Sequence, residues 1–440
     1  MTGTPETAPA PAGAPAPWIR AAARAGGPDR LPVGLADVEA AQRALEGVAE
    51  TTPLQLSRAL TRELGTPVHL KCENLQRAGS FKVRGAYVRM AQLSAEERAR
   101  GVVAASAGNH AQGVALAAAK LGIHARIVMP RGVALPKLQA TRDHGAEVQL
   151  FGSTVDEALA EARHYAERTG AVFIPPFDDP AIVAGQGTVG LEIMDALPEV
   201  DTVVVGIGGG GLIAGLAVAV KERARQQGRT VRVVGVQAAT AAAYPVSLAE
   251  GRVQVLESVS TIADGIAVCR PGDLPFGIVA ALVDAVVTVT DDEIAAAMVH
   301  LLERSKLVVE PAGAVGVAAL LSGRVADLGE ELGTTVAVLS GGNIDPMLLL
   351  KSIQSGLSAA GRYMTVRIPL PDRAGELATI SRIIADTDAN VVRVDHTRVG
   401  PELSMGGVHI TIDMETKGWE HSDAVLTSLR EAGYAPLRLT

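Results

Sequence analysis

The chain of 440 residues is poor in aromatic side chains, 3% of the total, and has only two cysteines, Cys72 and Cys269. An interior with so little Phe, Tyr and Trp must be built from Ala, Val, Ile and Leu, with 47 glycines allowing close backbone approach. Aliphatic runs of that kind suit parallel strands buried on both faces. Two cysteines cannot make a disulfide framework and no metal-type spacing exists, so both read as buried thiols in a reducing cytosol. Positive charge is also in short supply. Forty Lys and Arg against 48 Asp and Glu leave a net charge of -8, which gives no footprint for nucleic acid or an anionic membrane surface. No apolar run reaches the roughly 18 to 20 residues of a membrane helix, and the first residues lack the charged start and apolar core of a secretory signal. The expectation is a cytoplasmic α/β protein of two or three folding units.

What is present falls into three stretches. Residues 1–35 begin with an Ala, Pro, Thr and Gly mixture and read as a disordered N-terminal extension. From about Ala36 to Leu350, aliphatic runs such as Val102–Ala105, His124–Met129, Thr202–Ile207, Val231–Val236 and Thr335–Leu339 alternate with helical patterns such as Gln112–Leu121, Leu212–Gln226 and Asp291–Ser305. That alternation predicts parallel sheets with helices on both faces, over residues 36–354. Residues 355–362, rich in Ser, Gly and Ala, read as a linker. Over 363–440 the pattern becomes βαββαβ, a ferredoxin-like arrangement.

Three places carry chemistry. Lys82 lies between a small-residue turn and a helix start, where partial desolvation lowers a lysine's pKa and lets it form a Schiff base. Lys71 competes for that role but sits in a strand-like run. Gly206–Gly211 satisfies Gly-x-Gly-x-x-Gly between a strand and a helix. A nicotinamide site would then need an acid at the end of the next strand, and Gln237 stands there instead. A P-loop fails too, because no Gly-Lys-Ser/Thr follows. Consecutive glycines at a helix N-terminus still make a phosphate cradle, with tight strand–helix packing as the plainer alternative. Ser106–Gly113 also runs from a strand end into a helix and can receive an anion on its N–H groups.

The segment Ser80-Phe-Lys-Val-Arg-Gly85 is followed in order by Ser106-Ala-Gly-Asn-His-Ala-Gln-Gly113, Ala184-Gly-Gln-Gly-Thr188, Gly208-Gly-Gly-Gly-Leu212 and Ser340-Gly-Gly-Asn343. This set closely resembles the threonine/serine dehydratases, a branch of the fold-type II pyridoxal-phosphate (PLP) enzymes, over roughly Ala36 to Leu350. The resemblance implies a tryptophan synthase β-like fold of two lobes with open twisted sheets, the smaller lobe at about 85–180 inserted in the larger. It implies that Lys82, next to Phe81, carries the cofactor pyridoxal 5'-phosphate. Gly208, Gly209, Gly210, Gly211 and Leu212 would hold its phosphate, Asn109 its ring hydroxyl and Ser340 its ring nitrogen. Ser106, Ala107, Gly108, Asn109 and His110 would hold the carboxylate of an amino-acid substrate, with His110 orienting the loop. Glu310 stays unassigned between a structural role and a reach towards the cofactor.

The implied reaction is elimination from L-threonine to 2-oxobutanoate and ammonia, with L-serine also accepted. Related serine racemases carry a second serine where this chain has Ala107, and an acidic cation site where it has Gln237, Ala241 and Ala243. Both departures favour a dehydratase without a metal. A serine dehydratase or racemase, or a silent amino-acid sensor, are the other readings. The C-terminal Pro371-Asp-Arg-Ala-Gly-Glu-Leu377 resembles an ACT domain, which implies an amino-acid effector and a homo-oligomer, with pure dimerisation as the plainer alternative.

Overall fold

A computed structural model describes the backbone of residues 18–20 and residues 31–329, 331–398 and 407–439. Near its start lie the strands β1 (Trp18–Arg20), β2 (Leu54–Leu56) and β3 (Val68–Lys71). Next come β4 (Val102–Ala105), β5 (Ala125–Met129), β6 (Glu147–Leu150) and β7 (Val172–Phe173). They are followed by β8 (Thr202–Gly206), β9 (Arg232–Ala238), β10 (Ala285–Val289) and β11 (Thr335–Val338). The last are β12 (Tyr363–Pro371), β13 (Asn390–Thr397), β14 (Gly407–Glu415) and β15 (Leu437–Arg438).

The aliphatic runs form two sheets. The larger has the order β1-β10-β9-β8-β11-β3-β2, and the smaller β6-β5-β4-β7. Every pairing in the smaller sheet is parallel. In the larger, the five central strands are parallel and both edge strands run antiparallel. Strands β4, β8 and β11 are buried along their whole length, as expected where helices cover both faces. The chain is therefore an α/β protein with two such sheets over residues 18–338. Among the described residues, no helix is long and apolar enough to cross a membrane.

Two compact units result: residues 1–291 with 301–345, and residues 292–300 with 346–440. In the second, β12 to β15 form an antiparallel sheet in the order β13-β14-β12-β15, the ferredoxin-like arrangement. Met364, Val366, Ile368 and Leu370 alternate inward along β12, against Ile380, Ile384, Val425 and Leu429 of the two helices. Period-two burial on the strands and period-four burial on the helices close one small core.

Several expectations are corrected. The N-terminal stretch is not wholly without structure, because Trp18–Arg20 pairs with β10 and caps an edge that would otherwise leave backbone groups unpaired. Residues 1–17 and 21–30, also read as disordered, lie outside the described residues. The segment read as a linker is helical, since Ser355–Ala359 completes a helix from Pro346. Its small residues are packing residues: Ser352 and Gly356, four apart, are its buried positions, and a Cβ on Gly356 would lie 2.6 Å from the Ala295 carbonyl. Composition suggests a flexible joint there, and helix–helix contact explains it instead. The helix expected over Asp291–Ser305 is α-helical to His300 and then continues as a π turn, Leu301–Ser305. Cys72 is fully buried, and its thiol is pushed up to about 12 by that burial. Cys269 is only partly buried.

The helix Lys82–Ala91 is fixed by charge. Arg84, 1% exposed, donates Nε and Nη2 to the two carboxylate oxygens of Glu73 at 2.9 and 2.8 Å. Its Nη1 meets Glu192 at 2.6 Å. Lys71, equally buried, pairs with the other oxygen of Glu192 at 2.5 Å and donates to the Thr52 carbonyl. The rival lysine is thereby consumed in a structural network. Burial works against every charge here, yet the two carboxylates hold Arg84 charged, and Arg84 holds Glu73 below the usual carboxylate range. Removing one member strands the others away from water. Arg84→Met should lower stability by about 3 to 5 kcal/mol, read as a fall in the urea midpoint of unfolding.

Candidate active site

Lys82 is the first residue of its helix, and the turn before it is stitched to the end of β11. Ser80 bridges Gly341, and the Phe81 N–H donates to the Ser340 carbonyl at 3.2 Å. Helix Asn109–Leu121 crosses so closely that a Cβ on Gly113 would lie 2.9 Å from the Lys82 carbonyl carbon. The Lys82 Nζ donates to the Pro176 carbonyl at 3.0 Å and lies 5.1 Å from the centroid of the Phe81 ring. Burial pulls this amine down to about 8, against the pull of the Glu310 carboxylate.

The loop after β4 supplies the second component. Ser106 Oγ accepts from the Gly108 N–H at 3.1 Å, turning the chain into helix Asn109–Leu121, while Ala107 offers no polar side-chain atom. Asn109 donates Nδ2 to Glu310 at 2.6 Å and accepts from Asn343 Nδ2 at 2.9 Å. Asn343 also donates to the Ala78 carbonyl at 2.7 Å, so the turn before Lys82, the loop after β4 and the turn after β11 share one polar hub. His110 is buried, with Nε2 3.0 Å from the Ile174 carbonyl. A carbonyl only accepts, so Nε2 carries the proton. Burial and the nearby Lys82 pull this imidazole down to about 3, leaving it neutral at ordinary pH.

The glycine turn follows β8. Gly210, at φ +100°, caps helix Gly211–Gln226 in a conformation that side chains resist. A Cβ on Gly209 would run into the Phe177 ring, one on Gly210 into the Tyr244 hydroxyl, and one on Gly211 would stand 3.0 Å from Phe177 Cβ. The turn therefore presents bare backbone at a helix start, where N–H groups and the dipole favour an anion. The Leu212 side chain lies in the core of the larger lobe, leaving only its backbone for a ligand. Gln237 donates to the Ile207 carbonyl at 3.3 Å and accepts from the Tyr244 N–H at 2.8 Å. Where a nicotinamide site would have an acid, this amide braces the turn. Ser340 is buried, its Oγ only loosely tied to the Ala312 carbonyl at 3.4 Å.

Phe81, Asn109, Ser340 and the turn before Lys82 are brought together by these contacts, and the segment 174–177 relates the rest, meeting His110 at Ile174, the Lys82 amine at Pro176 and the glycine turn at Phe177. Four residues to which sequence reasoning gave no role make the links: Glu310, left unassigned, Asn343, quoted only within a motif, and Tyr244 and Phe177, passed over. Glu310 is buried, and its carboxyl is pushed up to about 7, first by burial and then by Asp264, against Asn109, Lys137 and Lys82. Asn343 and Tyr244 are the others that tie turns together, with Phe177 as the wall of the glycine turn. The run Pro175-Pro-Phe-Asp-Asp-Pro180 could have signalled a rigid turn, since its prolines restrict the backbone. In the C-terminal unit, the loop 371–377 lines a cavity of about 210 Å³ with His396, Arg398 and Ile410.

A lysine drawn towards neutrality, beside a phosphate cradle and a polar hub, defines an enzyme that works through a phosphorylated aldehyde cofactor. Residues 45–341 match the family described as pyridoxal-phosphate dependent enzymes, and the chain belongs to it. It is 47% identical to an L-threonine ammonia-lyase of Thermotoga maritima, over 91% of this chain and 98% of that one. Among solved structures it is similar to threonine deaminase isoform 2 of Solanum lycopersicum, with a TM-score of 0.72, 39% identity and coverage of 77% and 96%. It is also similar to maize serine racemase, with a TM-score of 0.69, 35% identity and coverage of 74% and 98%.

The residues present fit the cofactor. The glycine turn excludes side chains, the Lys82 amine is partly neutral, and beside it the buried Ser80 Oγ lacks a hydrogen-bond partner among the described residues. An ammonium cannot attack an aldehyde, so loading should follow the neutral fraction of Lys82. The rate of PLP uptake by the apoenzyme, followed by absorbance, should rise with pH and level off above about 8, well below the ordinary lysine value of 10.5. Lys82→Ala should abolish the absorbance band.

Proposed function

We propose that this enzyme is a threonine ammonia-lyase, converting L-threonine to 2-oxobutanoate and ammonia, and L-serine to pyruvate. The observation that carries the reading is Lys82, held at a helix start with its amine near pH 8, in a chain 47% identical to a protein of that activity. Bound PLP supplies an electron sink for the carbon that loses its proton. Lys82 would anchor the cofactor, and its Nζ would take the α-proton of the substrate. A base with a pKa near the working pH suits that transfer.

The N–H groups of Gly208, Gly209, Gly210, Gly211 and Leu212 would hold the cofactor phosphate, and Phe81 would line the site. Asn109 Nδ2 has two protons, one of which goes to Glu310, and the second would serve the ring hydroxyl. Ser340 Oγ would hold the ring nitrogen. A neutral hydroxyl does not keep that nitrogen protonated as an aspartate would, which favours prompt loss of the β-hydroxyl over transamination. The substrate carboxylate sits on Ser106, Ala107, Gly108, Asn109 and His110, where a neutral His110 fixes the loop through Ile174 rather than moving protons. The likeness to a serine racemase supports racemisation as a second reading, but Ala107 has no proton to give on the opposite face.

The cavity beside Pro371–Leu377 supports a regulatory reading for the C-terminal unit as an ACT domain. Arg373 and the N-terminus of helix Glu376–Asp386 offer positive charge to a carboxylate, with Arg398 shared with Asp372 at 3.4 Å, and an aliphatic amino acid such as isoleucine or valine suits the apolar Val408 and Ile410 beside them.

Purified holoenzyme given L-threonine should release 2-oxobutanoate, and added isoleucine should change the rate. Silence from a yellow, folded protein would sink the lyase reading, with chiral analysis of L-serine the next assay. Ser340→Asp should slow elimination and raise transamination, and unchanged elimination with no gain in transamination would contradict the role given to the serine.

A further inference from the structure

Lys137 lies in the first turn of helix Leu135–Asp143, which follows β5 in the smaller sheet. Its Nζ stands 4.0 Å from the point a Cβ on Gly108 would occupy. A full positive charge therefore hangs over the middle of the loop Ser106–His110. The same Nζ is paired with Asp264, on a turn of the larger lobe. The neighbouring Gly265 packs against that lobe, where a Cβ would lie 2.9 Å from Ala312 Cβ. The turn is further held by the Ile262 N–H donating to Asp291 at 3.0 Å. One ion pair thus joins an element of the smaller lobe to one of the larger beside the loop.

The two partners are not equivalent. The Lys137 side chain is 14% exposed and that of Asp264 52% exposed, so the cation is the member drawn inward. Both charges also act on the buried Glu310, Asp264 raising its pKa and Lys137 lowering it. An ion pair open to water on one side is weak and exchangeable. An ammonium has three donors and can keep Asp264 while taking a second carboxylate.

We propose that Lys137 is a substrate-binding residue, its ammonium completing the site for the α-carboxylate of the amino acid while Asp264 holds it over Gly108. This rests on the reading that the Ser106–His110 loop receives that carboxylate. The loop's backbone N–H groups supply direction and partial charge, and Lys137 supplies the full charge.

The test uses the holoenzyme with L-2-aminobutyrate, which has no β-hydroxyl to lose, and its amide, as competitive inhibitors of L-threonine turnover. Lys137→Met should raise KM for L-threonine and Ki for L-2-aminobutyrate by about ten- to a hundredfold. The Ki of the amide and the cofactor absorbance should stay unchanged, with kcat altered much less than KM. Lys137→Arg should restore most of the preference for the acid. A wild-type enzyme that binds acid and amide equally would overturn the carboxylate reading of the loop itself. A wild-type preference that survives Lys137→Met intact would overturn only the role of Lys137, as would equal weakening of acid and amide.

Discussion

Arg84 holds its charge where water does not reach, two residues beyond Lys82. The carboxylates that neutralise it come from the turn after β3 and from the long helix Pro180–Ala196. A guanidinium presents its donors in a fixed fork, so those elements can satisfy it in only one arrangement. Lys71 occupies the remaining oxygen of Glu192, which leaves Lys82 as the amine facing the site. The position and the lowered pKa of Lys82 both depend on this packing, since neither survives if the helix start moves towards water.

Around that anchor, the site is a meeting of turns. The Asn343 amide joins the turn before Lys82 to Asn109, and Asn109 passes the link to Glu310. Tyr244 and Gln237 brace the glycine turn from behind while Phe177 walls it. These contacts leave backbone N–H groups, rather than side chains, to meet anions. In a family described as pyridoxal-phosphate dependent the cofactor supplies the chemistry, and what the fold contributes is the rigidity of these turns.

Much of this was legible in advance. The run Val203-Val-Val205 required a buried strand, which β8 is along its whole length, and the missing acid at Gln237 argued against a nicotinamide site, in keeping with the family matched. The alternation along β12 and β14 gave the second domain. The linker reading failed because serine and glycine favour loops locally, whereas Gly356 is held to its size by a neighbouring helix. Trp18–Arg20 was missed because three residues carry no periodicity, and only the open edge of β10 gives them a place.

The sequence by itself determined the order of elements, the glycine turn after β8 and the lysine's place at a helix start, because those follow from residue type and short-range spacing. The tertiary structure alone decided that Lys71 is held in an ion pair with Glu192, that Glu310 lies against Asn109 from 201 residues away, and that Lys137 reaches over Gly108 to Asp264. The reason is physical: desolvation and charge pairing depend on what surrounds a group in three dimensions, and contacts that distant along the chain leave no local pattern.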